Sequence, residues 1–345
     1  MKKYVVIGDP VAHSRSPGMQ NAAFAACGLG RPYDRMLVKA ETFEEFVRFA
    51  RQELDGFNLT VPHKSLIIPY LKTIAPAAAA AGSVNTVTVK NGEFYGDSTD
   101  GYGLETALKY TDRIAHVAYR IGSDGHLERQ ELPPRLHGGV MVLCDDGCGE
   151  IGDMDRLCGE VWRECVARGF GSVMADFEQS CTPDRAQFLR KLCDILMRNR
   201  RGLFVSESYG CEVDRAAVLI CTAVSGGTLC QRLEEAKARF GNRVALDLQR
   251  LRMDFPLPCP GGEGCALDRE TLCAFLGEKP DVFFSEDLCA KYFTRPCECE
   301  LRFVLFDDAV TLRKKLHLAG NMGIGTAFLM YPEAEDILPE LFSRT

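Results

Sequence analysis

One lysine, one aspartate and several short hydrogen-bonding side chains stand at the ends of expected strands in the N-terminal part of the chain. They fall in four runs: Ser14-Arg-Ser16-Pro17, Asn58-Leu-Thr60-Val-Pro-His-Lys64, Ala81-Gly-Ser-Val-Asn85-Thr86 and Asp97-Ser-Thr-Asp100-Gly101. A lysine beside a carboxylate can donate a proton to an alkoxide or accept one from a hydroxyl, and fixed polar groups supply the orientation that such a step needs. Lys64 and Asp100 are therefore candidate proton-transfer groups, and Ser14, Ser16, Asn58, Thr60 and Asn85 candidate binding groups. The set suits a small polyhydroxylated acid. Taken singly, each run also has a plain structural reading. Ser-x-Ser before proline is a turn and cap pattern, and Asp97 and Asp100 could cap a helix starting near Gly101. Their joint occurrence points to a site.

A second group lies in Ser172-Val-Met-Ala-Asp176-Phe-Glu178. Side chains two apart on a strand share a face, so Asp176 and Glu178 project together from the C-terminal end of the strand. Barrel enzymes place their chemistry at that end. Asp145, Asp146, Glu207, Asp247, Asp307 and Asp308 also fall near expected strand ends, as an acidic mouth or as caps and surface charges.

The elements that must position these residues follow from periodicity and turn signals. Residues 4–8, 33–38, 56–60, 86–90 and 93–96 read as strands, the last two joined by Asn91-Gly92, a hairpin signal. Helices are expected over 17–27 and 42–52, near Lys64, and in an alanine-rich stretch ending at Gly82. Thr42 and Glu45 have capping-box spacing. From residue 111 the pattern becomes short apolar strand, then amphipathic helix, with strands at 114–121, 140–145, 172–177, 203–207, 217–222, 244–248, 303–306 and 326–331. An extra piece at 281–293 interrupts this rhythm. The expectation is an α/β protein: a small three-layer α/β substrate-binding domain over 1–110, then a (β/α)8-barrel-like domain over 111–345, with a doubly wound open sheet as the alternative.

Length and composition fit a globular protein of this kind: 345 residues, 46% hydrophobic and 26% charged. The formal charge of −7 is concentrated after residue 110, which argues against nucleic-acid binding. No apolar run is long enough for a bilayer, and the N-terminal run reads as a strand rather than a leader, so a cytoplasmic protein is expected. The 16 cysteines are read as thiols. Cys259, Cys265, Cys297 and Cys299 do not have zinc-knuckle spacing, and no metal is expected. No glycine-rich nucleotide loop follows a strand over 111–145. Gly147-Cys-Gly149 and Gly320-Asn-Met-Gly-Ile-Gly325 read as turn and helix-end glycines.

Residues 4–108 resemble the substrate-binding domain of shikimate dehydrogenases in the four runs above, in order and with family-like spacing. The resemblance implies that Ser14 and Ser16 bind a substrate carboxylate, that Thr60, Asn85 and Asp100 hold ring hydroxyls, and that Lys64 assists proton transfer as a hydroxyl becomes a ketone. The expected ligand is shikimate, 3-dehydroshikimate or a related hydroxy acid. In that family a nucleotide-binding domain follows directly. Here it appears replaced, so no cofactor is evident, and NADP enters only if the second domain or a partner supplies a site. Pairing with another copy is expected of a small domain lacking its usual neighbour. The segment 172–178, with Phe303-Val-Leu-Phe-Asp307-Asp308 and Gly323-Ile-Gly-Thr-Ala-Phe, resembles family 18 glycoside hydrolases and their spore-associated relatives. That resemblance implies that Glu178 is the general acid and that Asp176 orients the substrate's acetamido group. Gly171 and Met174 stand where the family has further aspartates, and Met330 or Tyr331 where it has a platform tryptophan. The competing readings are a glycosidase-like enzyme with an N-terminal sensing module and a non-catalytic ligand-binding protein.

Overall fold

The computed structural model describes residues 3–12, 14, 16–30, 32–60, 62–99, 110–111, 113–129, 138–146, 148–177, 181–259, 262–297 and 300–343. The chain divides into two compact units, Met1–Thr111 with Glu128–Gly138, and Asp112–Leu127 with Gly139–Thr345.

A six-stranded mixed sheet organises the first unit: β1 (Tyr4–Gly8), β2 (Tyr33–Leu37), β3 (Gly56–Leu59), β4 (Thr73–Ile74), β5 (Thr86–Lys90) and β6 (Glu93–Asp97), in the order β2-β1-β3-β5-β6-β4. Strand alternation distributes its core between two faces. Val5 and Ile7 join Phe46, Val47 and Phe57 beneath the helix Phe43–Glu53, while Val6 joins Val11, Tyr33 and Phe24 of the helix Ser16–Ala26. The result is three layers with strand ends free to carry polar groups. Asn91 and Gly92 have φ of 53° and 72°, the left-handed pair that a tight hairpin turn requires.

The expected capping box at Thr42 is not formed. Residues Ala40–Thr42 make a 3-10 turn, and the Thr42 hydroxyl donates back to the Lys39 carbonyl at 3.3 Å instead of receiving an N–H of the helix.

Beyond residue 111 lie β7 (Ala115–Ile121), β8 (Leu127–Arg129), β9 (Val140–Cys144), β10 (Ser172–Asp176), β11 (Gly202–Ser206), β12 (Ala217–Cys221) and β13 (Val244–Asp247). Then come β14 (Arg252–Leu257), β15 (Cys265–Ala266), β16 (Phe283–Ser285), β17 (Ala290–Cys297), β18 (Glu300–Phe306) and finally β19 (Ala327–Phe328). The main sheet has eight strands in the order β19-β13-β12-β11-β10-β9-β7-β8, with parallel pairing from β7 and β9 through to β19. From β7 to β19 the parallel strands follow chain order, with β8 outside β7 at the edge, so right-handed crossovers leave the helices on one face. Val173, Ala175, Leu203, Val205, Val218 and Ile220 are buried on the helix-covered face, whereas their alternates Met174, Phe204 and Leu219 are only partly buried.

The barrel-like expectation is met in part: among the described residues the sheet is curled and open, as a half-barrel. Phe303–Phe306, expected as a parallel strand, belongs to β18, which pairs antiparallel with β14 and β17 in a separate five-stranded sheet. The interruption expected at 281–293 therefore extends over β14 to β18. The expected last strand shortens to β19, and Tyr331 opens a short helix, Tyr331–Ala334. The open sheet of the alternative reading is present, although its parallel strands run in chain order from β7 to β19 without the switch point of a doubly wound fold. The sheet is nevertheless curled. The rings of Phe204 on β11 and Phe328 on β19 meet edge-on at 4.9 Å, although β12 and β13 lie between their strands. Three strand spacings on a flat sheet would separate them by roughly 14 Å.

Candidate functional site

In the first unit, strand pairing brings the predicted asparagines together. The Asn58 amide Nδ2 donates to the Asn85 carbonyl at 3.1 Å and to Thr86 Oγ1 at 2.9 Å, while Asn58 Oδ1 accepts from the Tyr33 hydroxyl at 2.7 Å. Thr86 Oγ1 in turn donates to Asn85 Oδ1 at 2.8 Å, and Asn85 Nδ2 donates to Thr99 Oγ1 at 2.7 Å. The Thr99 N–H completes the run by donating to Asn85 Oδ1 at 3.1 Å. Five side chains from β2, β3, β5 and the segment after β6 thus form one polar network, in which each group fixes the rotamer of the next. Burial pushes the Tyr33 phenol up to about 12, so it remains a donor at any physiological pH.

Thr60 follows β3, with its N–H on the Ile7 carbonyl at 2.9 Å. Lys64 sits on the short helix His63–Leu66, half-buried, with its carbonyl accepting the Val84 N–H at 3.0 Å, one residue before Asn85. Ser14 and Ser16 form a pair of their own at the start of the helix Ser16–Ala26. Their hydroxyls are 3.2 Å apart, and Arg35 of β2 donates from Nε to the Ser14 carbonyl at 2.8 Å. Asp97 Oδ1 accepts the Ser98 N–H at 2.7 Å. Asp100 and the expected helix start at Gly101 lie outside the described residues.

In the second unit, Asp176 ends β10. Solvent reaches it, yet surrounding protein raises its pKa above the ordinary carboxylate range, reinforced by the charges of Asp146 and Asp145. Asp247, at the end of β13, is raised as well, first by burial and then by Asp176 and Glu333, against the lowering effect of the Gln249 amide that donates to it at 2.8 Å. Carboxylates from β9, β10 and β13 therefore crowd the C-terminal edge of the curled sheet. Glu178 lies outside the described residues.

Asp145, Glu207, Asp307 and Asp308 have partners that remove them from free chemistry. Asp145 is buried against Arg185 at 2.6 Å, and Arg185 also donates to the Cys148 carbonyl at 3.1 Å. Glu207 forms a two-pronged pair with Arg232. Asp308 caps the helix Ala309–Asn321 in a capping box with Thr311. Asp307 lies in the core, 2.7 Å from the wholly buried Lys315 ammonium, with Thr311 and the Leu251 N–H as further donors.

The described cysteines are free thiols, and burial pushes Cys158 up to about 12 and Cys165 and Cys193 up to about 11, away from thiolate chemistry. Cys299 and Gly147 lie outside the described residues. Gly323, with φ of 75°, follows the helix Ala309–Asn321, as a helix-end glycine does. No helix among the described residues is long and apolar enough to cross a membrane.

The network residues missed from sequence are Tyr33, Thr86 and Thr99. Tyr33 has the appearance of a core aromatic. Thr86 carried a usable signal, since Asn58 and Thr86 fall opposite each other once β3 and β5 are paired antiparallel.

Residues 6–87 match the family described as the shikimate dehydrogenase substrate binding domain. A shikimate dehydrogenase (NADP(+)) of Staphylococcus aureus is 45% identical over 107 residues, which are 31% of this chain and 40% of that protein. The chain thus spans well under half the length of the curated relatives it matches. Among solved structures, a chitinase from Chromobacterium violaceum superposes with a TM-score of 0.55 at 15% identity, over 71% of this chain and 95% of that one. The spore cortex-lytic enzyme SleL of Bacillus megaterium gives 0.52 at 18% identity, over 71% and 70%. At these identities the likeness is one of fold. The C-terminal region shares the barrel-type fold of SleL and of this chitinase.

Proposed function

We propose that this chain is a glycoside hydrolase-like enzyme acting on N-acetylated sugar polymers, and that its N-terminal unit is an accessory module recognising a shikimate-like hydroxy acid. The observation that carries the first half is the position and environment of Asp176. It ends β10 at the C-terminal edge of a curled parallel sheet, and the surrounding protein, with the charges of Asp146 and Asp145, raises its affinity for a proton. A carboxyl group of raised proton affinity is a strong acceptor for an acetamido N–H and can turn that group's carbonyl oxygen toward the anomeric carbon. Glu178, two residues on in the sequence, then delivers its proton to the glycosidic oxygen as the C–O bond breaks. Water opens the resulting cyclic intermediate and returns the proton to Glu178. The sequence of steps keeps the anomeric configuration and needs no nucleotide or metal.

Proton NMR of the first product formed from N-acetylglucosamine oligomers tests this mechanism. The expected first product is the β anomer. An α product would rule out acetamido participation.

The second half rests on the 45% identity to a shikimate dehydrogenase over the N-terminal region and on the asparagine-centred network. The side chains proposed to contact the ligand are Ser14, Ser16, Asn58, Thr60, Lys64, Asn85 and Asp100. Dehydrogenation at Lys64 and Asp100 would require NADP from a site in the second unit or in a partner, so recognition is the activity proposed. Calorimetric titration with shikimate should give saturable heat that falls at least tenfold in affinity in Lys64→Ala. Equal heats from both proteins would remove Lys64 from the site.

A further inference from the structure

We propose that His63 is the positioning residue that holds Lys64 at the hydroxy-acid site, and that its protonation loosens the site. This rests on the reading of the N-terminal unit as a hydroxy-acid binder. His63 is wholly buried, and its Nε2 lies 2.6 Å from the Val38 carbonyl oxygen, just past the end of β2. A carbonyl only accepts, so Nε2 carries the proton and Nδ1 presents a bare lone pair. That Nδ1 is buried and has no hydrogen-bond partner among the described residues. The ring is stacked on Phe43 at 5.1 Å and 25°, which fixes its plane.

The main chain of the same residue joins the segments that bear the candidate ligand groups. The His63 N–H bonds the Thr60 carbonyl at 2.9 Å, and its carbonyl accepts the Ile67 N–H at 3.2 Å. The next carbonyl, that of Lys64, holds Val84 beside Asn85. The imidazole is therefore a peg that pins the turn carrying Thr60 and Lys64 to the end of β2. Adding a proton at Nδ1 would bury a charged ring with an N–H that has nothing to bond. The charged groups around it are few. Asp9, exposed after β1, is the carboxylate that acts on it, Lys64 is its chain neighbour, and across Phe43 lies Tyr70, whose hydroxyl points to Glu44 at 3.5 Å. Burial outweighs the Val38 carbonyl and Asp9, which both favour the charged ring, and holds the ring's pKa below its usual value. Stability from the neutral ring is therefore complete above about pH 6.5 and is lost as pH falls through the lowered value.

Shikimate affinity from pH 7.5 to 5 and amide hydrogen exchange over residues 59–67 test this in wild type, His63→Gln and His63→Phe. The glutamine retains a donor for Val38 without titrating, and the phenylalanine retains only the stack. Wild-type affinity should fall by up to about tenfold per pH unit once the ring takes its proton, with exchange rising in step. His63→Gln should bind nearly as wild type at pH 7.5 and stay flat, and His63→Phe should bind more weakly at every pH, also flat. Equal pH slopes in wild type and His63→Gln, or wild-type binding by His63→Phe, would overturn the assignment. If shikimate gives no heat at any pH, the hydroxy-acid reading falls, while the exchange profiles still decide whether His63 is the peg.

Discussion

Lys315 and Asp307 are the starkest case of a local arrangement that decides a residue's role. The lysine ammonium is fully buried and bonded to Asp307 and, at 3.1 Å, to the Thr222 carbonyl. Substituting Lys315→Met leaves a carboxylate without its counter-charge, and the expected loss is about 3–5 kcal/mol in urea unfolding. Asp176 predicts the opposite sign. Its raised pKa means that ionisation opposes folding, so its favourable contribution is present below about pH 3.8 and lost as pH rises through the raised value. Asp176→Asn should raise the melting temperature at pH 7, with the gain shrinking toward pH 4. A stability unchanged at pH 7 would show that neither burial nor the neighbouring acids oppose its ionisation. At this scale the sequence was a partial guide. It marked Asp176 and Asp307 alike as strand-end acids, and could not tell that the first of the adjacent aspartates 307 and 308 turns into the core while the second caps a helix. The difference comes from Lys315, two helical turns onward, whose burial no local pattern announces.

Elements were legible wherever a turn or a period decided them. The Asn91-Gly92 hairpin and the parallel strands β9 to β13 follow from backbone preferences and alternation that act over a few residues. Thr42 failed as a cap because a 3-10 turn took up its hydroxyl, a competition that its spacing from Glu45 does not reveal. The assignment of residues 303–306 to the wrong sheet has a similar origin, since an apolar strand of that length suits either a parallel or an antiparallel neighbour. β19 is only two residues long and relies on its ladder to β13 and on Phe328 against Phe204. Phe328→Ala should therefore speed hydrogen exchange at Leu246 and Leu248, whose N–H groups bond the Thr326 and Phe328 carbonyls at 2.9 and 2.8 Å. Unchanged exchange at both amides would mean that the ladder alone holds the edge.

At the scale of the molecule, each unit has its own sheet and core. The motifs of the N-terminal unit were readable because its candidate binding groups lie on contiguous runs. Whether the second sheet closes was not, because closure depends on edges remote in sequence. A ligand that binds only the first unit stabilises that unit alone by mass action. Calorimetric scans should show shikimate raising one transition and leaving the other in place, whereas a joint shift would mean that the units unfold together.

The proposed enzyme stands on Asp176 and Glu178, and Glu178→Gln addresses it directly. We would measure turnover of a fluorogenic N,N′-diacetylchitobioside by wild type and by this variant, at matched folded concentrations. The account predicts release of the fluorophore by wild type and a loss of about 100-fold or more when the proton donor is removed. No release by wild type, or equal rates from the two proteins, would contradict it.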